Sequence, residues 1–212
     1  MMHRRGTLLL LSALPLLGAC RSRKPRLQPV AAGATVLALG DSLTAGLGAP
    51  TGQDWPSLLS GMTGWRVVNG GVSGDTSSQG LARLPALLQA HHPALVIVGL
   101  GGNDFLRRQP ADGTRQALTE IVRAVQAQGA QVVLQAIPQP TALAAAGLTP
   151  ADHPLYAELA RELDVPLLEN LWGPILVKPE LRADTVHANA QGYATFAHSL
   201  AQGLRQLGLL QH

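Results

Sequence analysis

Three side chains in this sequence have the types and surroundings for nucleophilic acyl chemistry: Ser42, Asp184 and His187. Ser42 closes the stretch Thr35-Val-Leu-Ala-Leu-Gly-Asp-Ser42, whose first five residues form an apolar run. Such a run reads as a buried parallel strand, and open α/β sheets carry their sites at the carboxyl ends of strands. A serine hydroxyl is inert alone. It becomes a nucleophile when a base takes its proton and hydrogen-bond donors receive the developing oxyanion. Taken alone, the same serine also reads as a turn residue capping the helix that follows.

The base must be chosen among seven histidines. His3 lies in the leader, and His91 and His92 stand at a predicted helix end before Pro93, where a cation suits the helix dipole. His153 follows Asp152 in a Pro/Ala/Gly-rich stretch, and His198 falls inside the final helical pattern. Only His187 lies in a loop just before a terminal helix with an acid three residues upstream. That spacing lets the Asp184 carboxylate fold back across one turn and accept a hydrogen bond from Nδ1–H of His187, fixing the tautomer and stabilising the imidazolium. By itself the pair is also an ordinary Asp-capped surface turn. The order Ser42, Asp184, His187 matches the nucleophile-acid-base order of another α/β hydrolase fold. Asp41, Asp75 and Asp104 have no His/Cys cluster beside them and read as hydrogen-bond acceptors holding loops, with no metal site.

The elements that must position these groups follow from patterning. Five apolar runs suit buried strands: 35–39, 66–69, 94–100, 131–137 and 165–168. Helical patterns cover 54–62, 79–90, 114–128, 155–163 and 190–207, with Gly129 as a helix stop. Strict alternation of strand and helix predicts one α/β domain, a three-layer sandwich in which a central parallel five-stranded sheet carries helices on both faces. The segments 138–153 and 171–183 break the alternation where strands end, so they are expected to wall a cleft, and 141–147 also reads as a short surface helix.

Four segments then carry a resemblance: Gly40-Asp41-Ser42-Leu43, Gly71-Val72-Ser73-Gly74-Asp75-Thr76-Ser77, Gly101-Gly102-Asn103-Asp104 and Asp184-Thr185-Val186-His187. In order and spacing they resemble the blocks of the SGNH (GDSL) hydrolases, a flavodoxin-like fold. The run from Gly74 to Leu88 looks like the bacterial periplasmic thioesterase/lysophospholipase/arylesterase branch, and the likeness extends from about Thr35 to Leu207. The resemblance implies a metal-free, cofactor-free serine esterase acting on acyl esters or thioesters through a Ser42-His187-Asp184 triad and an acyl-enzyme. It also implies an oxyanion hole made by the backbone N–H of Ser42 and Gly74 and the side-chain amide of Asn103. A carbohydrate O-deacetylase could use the same site, and a lipid-binding lipoprotein without turnover is a third reading. One departure stands out: many relatives have Pro after the histidine, whereas Ala188 follows His187 here, which is expected to loosen that loop.

Charge locates the leader. The chain of 212 residues has a pI near 9.6, but residues 1–33 hold six of the 16 Lys and Arg and none of the Asp and Glu. The remainder has ten cations against thirteen anions, a net charge of −3, with few aromatic residues. Nucleic acid is therefore not an expected partner. Arg4-Arg5, the short apolar run from Thr7 to Leu17, and Gly18-Ala19 before Cys20 read as a signal peptide over 1–19. Leu17-Gly18-Ala19-Cys20 resembles a bacterial lipobox, so Cys20 is the expected lipidation site and 20–33 a flexible tether, ahead of a hydrolase domain over 34–212. The expected location is a periplasmic or cell-surface lipoprotein on a membrane, or a soluble exported protein if the lipobox is not used.

Overall fold

The apolar runs fold as strands β1 (Thr35–Gly40), β2 (Arg66–Gly71), β3 (Leu95–Gly99), β4 (Gln131–Gln135) and β5 (Leu167–Leu168) in a computed structural model that describes residues 27–139 and 148–211. They pair in the order β2-β1-β3-β4-β5, each pair parallel. Parallel neighbours need crossovers, supplied by helices α2 (Trp55–Thr63), α3 (Ser77–His91), α5 (Ala111–Ala127) and α6 (Leu155–Leu163). The terminal helix α8 (Ala190–Gln206) packs with α2, while α3 packs with α5 and α5 with α6. Every residue of β1 and β3 is buried. Successive strand residues face opposite sides, so both faces of the sheet are covered. The fold is the three-layer α/β sandwich that the alternation predicts.

Element boundaries shift where local chemistry overrides periodicity. Helix α3 starts two residues earlier than its apolar pattern, because Thr76 and Gln79 form a reciprocal capping box. Strand β5 is shorter than the apolar run 165–168. The Val165 N–H goes to Ala160 O at the end of α6, and Pro166 has no N–H to give, so pairing begins at Leu167. The carboxyl-end loops carry short helices that the patterning did not reveal: α1 (Ser42–Ala45), α4 (Gly102–Leu106), α7 (Gly173–Leu176) and a 3-10 turn over Pro179–Leu181.

The tether expected over 20–33 is packed against the domain in its described part. Val30 is buried and its N–H bonds Leu209 O at 2.8 Å, while its carbonyl accepts from the Trp65 indole. Gln28 exchanges backbone-to-side-chain bonds with Gln131 at the start of β4. The signal peptide, Cys20 and the helix read over 141–147 lie outside the described residues, and no helix among the described residues is long and apolar enough to cross a membrane.

Candidate active site

Ser42 owes its position to a tight exit from β1. A Cβ on Gly40 would come within 2.0 Å of Thr44 Oγ1 and 3.0 Å of the Gly99 carbonyl, so only glycine lets α1 fold back on the strand end. Asp41, not Ser42, caps α1: its Oδ1 accepts the Leu43 N–H at 3.0 Å. That leaves the Ser42 hydroxyl free to meet His187, whose Nε2 lies 2.9 Å from Ser42 Oγ across 145 residues of sequence. His187 Nδ1 lies 2.7 Å from Asp184 Oδ2, and Asp184 Oδ1 accepts the N–H of Val186 and of His187, both at 2.8 Å. Partial burial works to raise the Asp184 pKa, but the Val186 and His187 hydrogen bonds outweigh it and hold the carboxyl below its ordinary range. An ionised Asp184 accepts a hydrogen bond from Nδ1–H, the tautomer that leaves the Nε2 lone pair facing the serine.

The loop bearing His187 is held from several sides. The Ala183 N–H donates to His187 O at 2.9 Å, and Arg182 bridges Ala188 in an antiparallel pair. Asn189 donates its side-chain amide to the carbonyls of Glu180 and Arg182 and caps α8 by accepting the Gly192 N–H. Ala188 is fully buried. A small apolar residue is thus packed under the loop at the position where many relatives carry proline.

The expected oxyanion donors stand on three different loops. Gly74 has φ +86°, a left-handed conformation that glycine adopts without strain. Among the described residues, no acceptor is bonded to the backbone N–H of Ser42 or of Gly74. Asn103 Nδ2 already donates to Asp75 O at 3.0 Å, with Asp41 Oδ2 farther off at 3.3 Å. A substrate oxygen would compete with the longer of these contacts. Gly101 makes room for a side chain of the core: a Cβ there would lie 2.4 Å from the Tyr156 hydroxyl, which donates to Leu100 O.

The three aspartates beside the site do hold loops. Asp104 accepts the Ser77 N–H and hydroxyl and the Thr114 hydroxyl. Asp75 pairs with Arg83 Nε at 2.6 Å, while Arg83 Nη2 donates to Gly40 O at 2.8 Å. One guanidinium thus ties the Ser42 loop to the Gly74 loop. Arg107 Nη2 donates to Gly74 O at 2.8 Å. Sequence reading passed over Arg83, Arg107 and Tyr156. The only trace of Arg83 was a cation two helical turns after Asp75, within the run from Gly74 to Leu88. Asp41 is buried, and burial pushes its carboxyl up to about 6 against the Leu43 N–H and the nearby His187, which work to lower it.

Ser42, Asn103 and His187 open into a cleft of about 790 Å³. Its walls are mainly apolar: Leu106, Ile137, Pro138, Leu176 and Val177, with Arg182 the one arginine among the lining residues. Both segments that broke the strand-helix alternation contribute walls. The other histidines among the described residues are elsewhere: His153 stacks on Phe105 with centroids 4.1 Å apart and accepts the Leu155 N–H, and burial lowers its pKa. His198 is exposed on α8, and His91 and His92 end α3.

Comparison with known proteins adds an independent view. The profile of the GDSL-like lipase/acylhydrolase family matches residues 38–195. Over 182 residues, 84% of this chain and 86% of the other, the sequence is 41% identical to a protein of Escherichia coli (strain K12) named thioesterase 1/protease 1/lysophospholipase L1. It is 36% identical over 177 residues to the arylesterase of Vibrio mimicus, covering 80% of this chain and 87% of that one. The crystal structure of TesA superposes with a TM-score of 0.72 at 33% identity, over 82% of this chain and 99% of that chain.

Proposed function

The chain belongs to the GDSL-like lipase/acylhydrolase family and is a carboxylic ester hydrolase, and on that premise we propose that Ser42, His187 and Asp184 carry the reaction through an acyl-enzyme. His187 Nε2 takes the proton as Ser42 Oγ bonds to the acyl carbon, and the carbonyl π electrons move onto oxygen. The oxyanion is received by the N–H of Ser42 and Gly74 and by the Asn103 amide. The carbon–oxygen or carbon–sulfur bond then breaks, and the leaving alcohol or thiol takes the proton from His187. Water, deprotonated by His187, hydrolyses the acyl-serine and restores the hydroxyl. Asp184 holds the imidazole and offsets its transient charge. The observation that carries this reading is the continuous contact of 2.9 Å and 2.7 Å from Ser42 through His187 to Asp184 at the mouth of an apolar cleft.

The substrates we infer are small acyl esters and thioesters: aryl esters, acyl thioesters or lysophospholipids. The apolar walls favour an acyl chain longer than acetyl over a carbohydrate acetate. The names of the Escherichia coli and Vibrio mimicus relatives agree with that range. We further propose that 1–19 is a lipoprotein signal peptide, that Cys20 is lipidated, and that 34–212 is the hydrolase domain of an exported, membrane-anchored enzyme.

Ser42→Ala should abolish turnover of p-nitrophenyl esters across a chain-length series, and intact-mass analysis after fluorophosphonate treatment should show one adduct on the wild type and none on the variant. Wild-type turnover by the variant would refute the nucleophile assignment. A sharp preference for acetyl over medium chains would overturn the acyl-chain reading. Lipidation is tested separately by the mass of the mature N-terminal peptide.

A further inference from the structure

Residues 28–33 are clasped at the end of the sheet opposite the cleft. In a parallel sheet all strands start at one end and finish at the other. Ser42, Asn103 and Ile137 line the cleft and follow the ends of β1, β3 and β4. The clasp lies where strands start. The Gln28 N–H donates to Gln131 Oε1, and Gln131 Nε2 donates to Gln28 O, at the first residue of β4. Val30 is buried, its N–H bonds Leu209 O beyond α8, and its carbonyl accepts from the indole of Trp65, just before β2. The Gly33 N–H bonds Gly64 O one residue earlier.

Helix α8 measures the gap between this clasp and the site. It starts just after His187, ends just before Leu209, and its 17 residues rise about 25 Å. The path along β4 from Gln131 to Ile137 agrees, at about 20 Å. Only seven peptide steps separate Cys20 from Leu27. Fully extended, such a segment spans at most about 25 Å. A lipid on Cys20 therefore runs out of chain near the level of His187. The chain would still have to round a covering helix, about 10 Å thick, and clear the loops that rim the cleft. Releasing 27–33 to gain length would break the bonds of the clasp and expose Val30. The residues between Cys20 and Leu27 include Arg21, Arg23, Lys24 and Arg26 and no acid. Anionic headgroups attract such a run, which uses up length along the membrane surface.

Building on the proposed lipidation of Cys20 and the proposed ester hydrolysis, we infer that the anchored enzyme holds the strand-start end toward its own bilayer and turns the cleft away from it. Esters and thioesters then reach Ser42 from the aqueous side, and acyl lipids seated in the anchoring leaflet lie out of reach. A lysophospholipid of that leaflet becomes a substrate only after it has left the membrane.

The test uses the full chain, expressed with its leader and reconstituted into dilute vesicles. One substrate is a dissolved butyryl ester of umbelliferone. The other is the same ester linked through its ring to the headgroup of dioleoyl phosphatidylethanolamine in those vesicles, a lipid that does not exchange. The dissolved ester should turn over and the fixed one should be nearly inert. Inserting about 30 Gly/Ser residues after Arg23 keeps the clasp and lets the chain span the domain. Turnover of the fixed ester should then rise roughly tenfold or more with the dissolved ester unchanged, because a linker too short to reach gives an effective concentration near zero. Orientation is also read without activity. A fluorescent donor on Val72→Cys, exposed after β2, should transfer less energy to acceptor lipids than one on Gln128→Cys, exposed just before β4. Equal turnover of the fixed ester with short and long tethers, or stronger transfer from the Val72→Cys donor, would overturn the orientation. No turnover of the dissolved ester would strike the esterase reading, while energy transfer still decides the orientation. An N-terminal peptide whose mass shows no acyl chains would strike the anchor and the orientation with it.

Discussion

Asp41→Asn isolates the cost of an ionised carboxylate beneath the site. Burial raises the folded-state pKa of Asp41 from 3.8 to about 6. At about 1.4 kcal/mol per pH unit, this corresponds to roughly 3 kcal/mol. The sign follows from proton binding: the folded chain holds this proton more tightly than the unfolded one. The contribution is fully present below the unfolded pKa of 3.8 and is lost as pH rises through the folded value of about 6. The variant also loses contacts, because an asparagine amide facing Asn103 Nδ2 sets donor against donor, but that loss does not depend on pH. The measurable quantity is the difference in unfolding free energy between variant and wild type, from urea titrations at matched pH values between about 3.5 and 7. It should move in favour of the variant by about 2–3 kcal/mol across that window, with most of the change between about pH 4 and 6. Activity should fall at the same time, since Asp41 Oδ2 helps orient the Asn103 amide. A flat difference across the window would show that Asp41 titrates normally and would refute the burial argument.

Two further substitutions read the oxyanion site. Asn103→Ala should lower kcat by about 10²–10³ with KM little changed, because the amide acts on the charge that develops after binding; an effect confined to KM would count against it. Arg83→Lys keeps the charge but cannot span both Asp75 and Gly40 O with a planar fork. It should reduce kcat by roughly tenfold while binding of a boronate transition-state analogue weakens by the same factor and the pH profile stays fixed. A change in melting temperature without that kinetic signature would reduce Arg83 to a structural tie.

Sequence by itself determined what local forces control. Uninterrupted apolar runs can satisfy themselves only as strands covered on both faces, so the five strands and the helices between them were legible. Asp184 and His187 were legible as a pair because three residues is one turn, and a turn closes through its own backbone N–H groups. Tertiary structure decided everything that depends on distance through space. The meeting of Ser42 and His187 across 145 residues follows from strand order and from a glycine that lets α1 fold back. The bridge from Arg83 to two loops, the double engagement of the Asn103 amide and the raised pKa of Asp41 come from burial beside partners remote in sequence. Ala188 illustrates the limit: the sequence shows only a missing proline, whereas the bridge to Arg182 and the packing around Ala188 come from residues that the fold brings together.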